Sequence, residues 1–171
     1  MIGRKGLKMA ELTNLETKLG EVIGLAMAAQ GATDKVSKLD ELDGDLEQEL
    51  KRMNKEAKEA EERATDVAAS FDGKKTAILD EAREVKQKAT EMMQDYLDGE
   101  SDALDGFEFL TMAEAGEVGH WEILKTLNDR ARNSGVQDLV EWGIPIQDRH
   151  LQTVRQGSLK LASEEDPNET S

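Results

Sequence analysis

Apolar residues recur along most of the chain at alternating steps of three and four, which places them on one face of an α-helix. One such run covers residues 9–31, and a longer one covers residues 36–71, where Asp72-Gly73 is typical of a helix end. A third run follows over residues 78–96. Leucine gives way to alanine along the second run, so we expect its partner helix to approach more closely towards the far end. The pattern predicts three long amphipathic helices within residues 9–100.

The last third of the chain predicts two more helices, which form an antiparallel hairpin over residues 102–162. The fourth helix covers residues 102–132, and Asn133-Ser134-Gly135 is a short turn signal. The fifth covers residues 136–162 and is interrupted by Gly143-Ile144-Pro145. Because proline lacks a backbone donor, we expect a kink or a restart there.

These elements together predict one all-α domain over residues 1–171, a bundle of about five helices. Residues 1–8 read as a loose N-terminal extension, and residues 163–171 as a disordered acidic tail. Some small residues also recur at every fourth position of the first helix, away from its apolar face: Gly20, Gly24 and Ala28. They either let a second backbone approach closely or are glycines tolerated in a well-packed helix, and the sequence leaves both interpretations open.

Charge and composition limit the possible partners. The chain has 22 Lys and Arg against 37 Asp and Glu, a net charge of −15, so it repels nucleic acid and anionic membranes and attracts cations and basic proteins. It has no cysteine, which excludes disulfides, thiolate metal sites and thiol catalysis. Its most apolar stretch, residues 22–29, is too short to span a bilayer, and the basic start lacks the apolar segment of a signal peptide. We therefore expect a cytoplasmic protein.

The candidate chemistry begins on the fourth predicted helix, whose apolar face also carries ionisable groups. Glu117 and His120 project into the middle of that face, and Glu114 lies near its edge. Burial of an unpaired carboxylate is costly, so Glu117 must be paired, protonated, bound to a metal or facing a polar cavity. The Glu-x-x-His spacing also puts a carboxylate and an imidazole one turn apart, where both can reach one cation.

The fifth predicted helix repeats this feature, because Gln147 and His150 lie on its apolar face. His120 lies 14 residues before Ser134, and His150 lies 16 residues after it. At the usual rise per residue the two histidines would lie ~21 and ~24 Å from the turn. We therefore expect these two histidines, which are the only ones in the chain, to lie at one level and face each other.

With these motifs, residues 104–162 resemble the ferritin-like superfamily of carboxylate-bridged metal proteins. The resemblance implies that Glu114 or Glu117 is a bridging or terminal carboxylate ligand, and that His120 and His150 are terminal nitrogen ligands. It implies iron as the metal, with manganese or zinc as alternatives. It also implies a role in handling metal or oxidative stress.

The ligand set departs from the family pattern at several positions. Gln147 stands where a second Glu-x-x-His motif would have its carboxylate. In the first two helices, Glu16 and Glu56 lie only on the flanks of the apolar seams. One chain is therefore short of the six ligands that two iron ions need, unless a homodimer or larger homo-oligomer supplies a second half-site.

A second interpretation needs no metal. Glu117, His120, Gln147 and His150 would then form a buried, hydrogen-bonded layer that fixes the register of the helices. The protein would be a non-enzymatic scaffold whose 36–71 seam pairs with itself or with a protein partner. The sequence shows no phosphate-binding glycine loop, His-Glu-x-x-His zinc helix, nucleophile elbow or EF-hand loop that would indicate another chemistry.

Overall fold

Helices make up the regular secondary structure of the described chain. The computed structural model of the protein describes residues 10–40 and 42–170. Over these residues it has five α-helices and no strand, which confirms the predicted all-α bundle. The helices are α1 (Asn14–Ser37), α2 (Gly44–Ala69), α3 (Lys75–Tyr96), α4 (Ala103–Ala131) and α5 (Ser134–Ser163). The predicted extension, residues 1–8, lies outside the described residues.

Reciprocal side-chain caps fix the starts of α1 and α4. The Thr13 hydroxyl accepts from the Glu16 amide at 3.2 Å, and the Glu16 carboxylate accepts from the Thr13 amide at 3.0 Å. Asp102 and Asp105 form the same pair at the start of α4, at 3.0 and 2.9 Å. These bonds satisfy amide donors that no helical carbonyl can reach. They explain why α1 begins at Asn14 rather than at residue 9.

The connection between the first two helices lies later than the sequence predicts. α1 continues past the exposed Gly31, because Ala32 and Val36 extend the buried face of the helix. Leu39, which was expected on the second helix, lies in the connection, and Asp43 caps the start of α2. The predicted end at Gly31 and the predicted start at Val36 are therefore wrong. The spacing of apolar residues continues through the connection, so the sequence pattern does not show where α1 ends and α2 begins.

α5 runs continuously through Pro145, so of the two outcomes predicted at Gly143-Ile144-Pro145 the restart is wrong. Proline removes one amide donor, which leaves the Glu141 carbonyl without its helical partner. Both residues are exposed, so water can bond to that carbonyl and the helix tolerates the proline. After α5 ends, residues 164–170 are exposed and not helical.

Four helices enclose the core as two antiparallel hairpins. α1 packs on α2, and α4 packs on α5. In the second hairpin Phe107 lies against Gly157 and Trp121 lies against Gly143, so the two helices run in opposite directions. α1 also packs on α4, and α2 on α5, which closes the ring of helices.

α3 packs mainly on α1, beside this ring, and runs parallel to it. A Cβ atom added at Gly20 would lie 2.8 Å from the Ile78 carbonyl oxygen, and one at Gly24 would lie 2.4 Å from the Ala82 carbonyl oxygen. The two glycines therefore let a second backbone approach closely, which decides between the two interpretations of these small residues. α3 carries the chain from the end of α2 to the start of α4, as a long crossover between the hairpins.

Buried apolar residues form two clusters along the bundle. The first cluster includes Leu19 and Trp121, and the second includes Leu50 and Phe107. α1, α2, α4 and α5 each contribute to both clusters, so the clusters follow one another along the bundle. Among the described residues, no helix is both long enough and apolar enough to cross a membrane.

Candidate site: a buried polar layer

Five polar side chains lie between the two apolar clusters, and we call them the polar layer. They are Glu56 of α2, Glu114 and Glu117 of α4, and Gln147 and His150 of α5. On each of these helices, the residues to one side belong to the first cluster and those to the other side belong to the second. All are buried except Glu56, which is half-buried. The polar layer thus interrupts an otherwise apolar core.

Hydrogen bonds connect the two helices of the second hairpin through Gln147. Its Nε2 donates to Glu117 Oε2 at 2.5 Å, and its Oε1 lies 3.0 Å from His150 Nδ1. Gln147 and His150 are one turn apart on α5, as the sequence predicts, and Glu117 faces them from α4. The structure therefore brings these three predicted site residues together.

Glu56 extends the polar layer to the first hairpin. Its Oε1 lies 3.4 Å from His150 Nε2, and Arg149 donates to both of its oxygens at 2.8 and 2.5 Å. The Arg149 guanidinium holds the pKa of Glu56 below its ordinary value, so Glu56 is a carboxylate. Burial lowers the pKa of His150, although Glu56 acts in the opposite direction. A neutral imidazole thus lies beside a charged carboxylate.

Glu114 is the least satisfied member of the polar layer. Its side chain is only 2% exposed, and within the described residues its Oε2 is buried without a hydrogen-bond partner. The imidazole of His150 lies nearby, but its Nδ1 is 4.0 Å from Oε2, too far for a hydrogen bond. Burial raises the pKa of Glu114 to about 8. Burial and the neighbouring Glu114 also raise the pKa of Glu117 well above its ordinary value.

His120 lies apart from the polar layer. It is half-exposed, and its Nδ1 lies 3.2 Å from Lys18 Nζ and 3.2 Å from Glu21 Oε2, both on α1. His150 instead contacts Glu56 of α2. The prediction that the two histidines face each other is therefore wrong.

The register of the second hairpin explains this error. Glu117 pairs with Gln147, and Trp121 lies against Gly143, which centres the hairpin near Arg132 rather than at Ser134. His120 is then level with residue 144, six residues from His150, or about 9 Å along the axis. Arg132 ends α4 in the left-handed conformation, with φ 54°, and so shortens the turn.

Sequence reasoning missed Glu56 as a site residue because it lies on the flank of the α2 seam. No local pattern marks it, because only the structure shows that Met53 and Ala60 on either side belong to different apolar clusters. Glu16, which lies on the flank of the α1 seam, has a different role. It caps the start of α1 and pairs with Lys74 at 3.2 Å.

Four side chains of the polar layer could act as metal ligands. They are the carboxyl groups of Glu114 and Glu117 on α4, and the amide of Gln147 and the imidazole of His150 on α5. Among the described residues, however, no three His, Asp or Glu side chains converge as they would around a metal ion. In the present arrangement, side chains of the polar layer bond to one another, and Glu114 Oε2 is left without a partner among the described residues. No family model, curated protein or solved structure matches the chain, so its function has to be argued from the site itself.

Proposed function

We propose that the polar layer binds one divalent metal ion. The ligands would be the carboxylates of Glu114 and Glu117, Oε1 of Gln147 and Nδ1 of His150. The observation that carries this proposal is Glu114 Oε2, which is buried and has no hydrogen-bond partner in the described chain. An unsatisfied buried acceptor costs free energy, and a cation would both satisfy it and stabilise the carboxylates beside it.

The environment of His150 supports the same assignment. Histidines that bind metals commonly donate their other ring N–H to a carboxylate, which fixes the ring and its tautomer. Here Nε2 lies 3.4 Å from Glu56 Oε1, and Arg149 keeps Glu56 charged. With the proton on Nε2, the Nδ1 lone pair would face Glu114 and Gln147, and a metal ion there would replace the present contact of Nδ1 with Gln147 Oε1.

We propose iron as the metal, with manganese or zinc as alternatives, because the Glu-x-x-His spacing resembles that of ferritin-like proteins. Such proteins hold metals among carboxylates and Glu-x-x-His motifs in the bundle core. Glu117-x-x-His120 and Gln147-x-x-His150 occupy the second hairpin. Because His120 is bonded to α1 residues, we leave it out of the proposed ligand set.

Metal binding would require rearrangement within the polar layer. The bond from Gln147 Nε2 to Glu117 would give way to bonds to the ion, and both α4 carboxyl groups would lose their protons. Affinity should therefore rise with pH. A single ion needs only one chain, so the predicted homo-oligomer stays a separate prediction, to be checked by light scattering.

The test is metal analysis of three proteins without tags. Wild type, His150→Ala and His120→Ala are purified without chelator, then stripped and reloaded anaerobically with ferrous iron, manganese or zinc. We expect about one ion per chain in the wild type and in His120→Ala, and at least a tenfold lower affinity in His150→Ala. Circular dichroism checks that each variant is folded.

Two results would contradict the proposal. One is wild-type protein that stays free of metal after loading with all three ions. The other is a His120→Ala variant that loses metal as fully as His150→Ala, which would show that the ligand set is wrong.

A non-enzymatic scaffold is the second candidate function. It is favoured by the contacts that Gln147, His150 and Glu56 already make to one another. In the described chain, no three ionisable side chains converge as they would around a metal ion. In that case the polar layer only fixes the helix register, and a protein partner would bind elsewhere. Thermal unfolding would then be the same with metal, without metal and with chelator, whereas His150→Ala would still unfold at a lower temperature.

A further inference from the structure

A groove of about 290 Å³ lies between α3 and α4, with α1 as its floor. Both helices pack on α1, and over the described residues they pack on it rather than on each other. They meet near the end of α3, where the ring centroids of Tyr96 and Phe109 lie 5.9 Å apart. A cavity of about half this size holds benzene, so the groove has room for two side chains of similar bulk.

The lining of the groove is mostly apolar. α1, α3 and α4 all contribute to it, with Leu25, Ala29, Val85, Ala89, Phe109 and Ala113. Three of the five large apolar side chains that are exposed in the described chain also lie there. Met92 and Met112 line the groove, and Tyr96 contacts Phe109 of its wall. The exposed apolar side chains are therefore concentrated at this groove.

The apolar seam of α3 continues past the part that α1 covers. Ala82 is fully buried, whereas Val85 and Ala89 are half-buried and Met92 is 54% exposed. These residues and Tyr96 follow one another at steps of three and four, the spacing at which helices pack in a coiled coil. The second half of α3, residues 83–96, thus carries a seam for another helix that the described chain leaves uncovered.

The charges along this half of α3 indicate which helix fits. Residues 83–88 contain three basic side chains and one acidic one, whereas residues 91–100 contain four acidic side chains and no basic one. All eight are exposed. Two copies of the segment placed antiparallel set the basic stretch of one against the acidic stretch of the other, whereas a parallel pair sets like charges together. A two-fold axis across the helix gives the antiparallel arrangement.

We propose that the second half of α3 packs antiparallel against the same segment of a second copy of this chain, and that Met92 and Tyr96 of each copy fill the groove of the other. The two-fold axis passes near Ala89, between the basic and the acidic stretch. The net charge of −15 repels two copies in general, so the local complementarity decides which surface they use. This dimer goes beyond the proposed metal site, because it needs no metal ion.

The first experiment is sedimentation equilibrium of the full-length protein stripped of metal. We expect a dimer with a Kd below about 100 µM, as for small interfaces. Met92→Glu should raise the Kd at least tenfold. Leu159→Glu is the matched control, because Leu159 is 66% exposed on α5, and it should leave the Kd within about threefold of wild type. A wild type that stays monomeric at about 1 mM would overturn the proposal, and so would equal effects of the two variants.

A pair of charge variants tests the complementarity. Lys86→Glu/Lys88→Glu makes the segment mostly acidic, and Glu91→Lys/Asp95→Lys makes it mostly basic. Each variant alone should dimerise at least tenfold more weakly than wild type, whereas an equimolar mixture of the two should form a heterodimer as tight as the wild-type dimer. All four positions are exposed, and circular dichroism checks that both variants fold. A mixture of folded variants that stays monomeric would overturn the proposal.

Single cysteines determine the orientation, because the chain has none of its own. In the antiparallel pair a residue at the axis lies opposite itself, whereas Tyr96 lies ~21 Å along the axis from its counterpart. A short bismaleimide should therefore cross-link Ala89→Cys into dimers and leave Tyr96→Cys and Leu159→Cys monomeric. Cross-linking of Tyr96→Cys as complete as that of Ala89→Cys would mean parallel pairing, and would overturn the proposal. Because the protein is free of metal, these outcomes are independent of the metal analysis.

Discussion

At the scale of single residues, the polar layer holds two buried carboxyl groups, and in the described chain neither is bonded to a basic side chain. Glu117 is bonded to an amide, and one oxygen of Glu114 has no partner. Such groups stay protonated at neutral pH because burial disfavours the charged form. The stability of the protein should therefore depend on pH in the direction opposite to that of an ordinary salt-bridged acid.

Glu114 sets the expected pH window. Its pKa is raised from 4.5 to about 8, so the folded protein keeps a proton that the unfolded chain releases. The stabilisation is complete below pH 4.5 and is lost as the pH rises towards about 8. We expect the free energy of unfolding of the stripped protein to fall by up to about 5 kcal/mol across this window, as measured by urea unfolding at a series of pH values.

Glu114→Gln should weaken this pH dependence, because glutamine does not titrate, while Glu117 keeps the part that its own burial causes. Glu108→Gln is the matched control, since Glu108 is exposed on the same helix. A pH dependence that survives in Glu114→Gln and disappears in Glu108→Gln would show that Glu114 is not the group responsible.

At the scale of the helices, α1 contains two glycines in opposite situations. A Cβ atom at Gly24 would lie 2.4 Å from the Ala82 carbonyl oxygen, whereas one at Gly31 would meet nothing within 4 Å. Gly24→Ala should therefore push α3 away and lower the free energy of unfolding by about 2–4 kcal/mol. Gly31→Ala should raise it by about 0.5–1 kcal/mol, because alanine is the better helix former.

Chemical unfolding of both variants is the measurement. Equal effects of Gly24→Ala and Gly31→Ala would mean that α3 does not lie against Gly24.

At the scale of the whole molecule, few polar contacts join the first hairpin to α5. Arg149 of α5 binds both oxygens of Glu56 of α2, close to the polar layer, and Lys160 of α5 binds Asp43 at the solvent-exposed start of α2. Arg149→Met should lower the free energy of unfolding by about 1–2 kcal/mol, because it leaves the half-buried Glu56 without its main partner.

Lys160→Met is the control for this prediction. Its ion pair is exposed to water, so we expect no measurable change in the urea midpoint. A larger loss in Lys160→Met than in Arg149→Met would mean that the polar layer does not join the two hairpins.

The sequence predicts the number of helices and the antiparallel final pair, because both depend on periodicity along the chain. It also places Glu117 and Gln147 on the inward faces of these helices, but not the register that pairs them. It does not predict where α1 ends, since the apolar period continues through the turn and only the caps mark the break. It also misplaces His120, because the left-handed Arg132 shifts the hairpin register. Glu56 was missed since its role depends on how α2 approaches α5, which no local pattern records.

The uneven packing of α3 has a consequence for motion. The free energy needed to open a segment locally depends on the apolar contacts that it buries. The first half of α3 is held by Ile78 and Ala82 against α1, and Leu97, directly after its end, is buried in the second apolar cluster. The stretch between Ala82 and Leu97 buries less apolar surface, so it should open locally more often than the two anchored ends, while the other four helices stay packed.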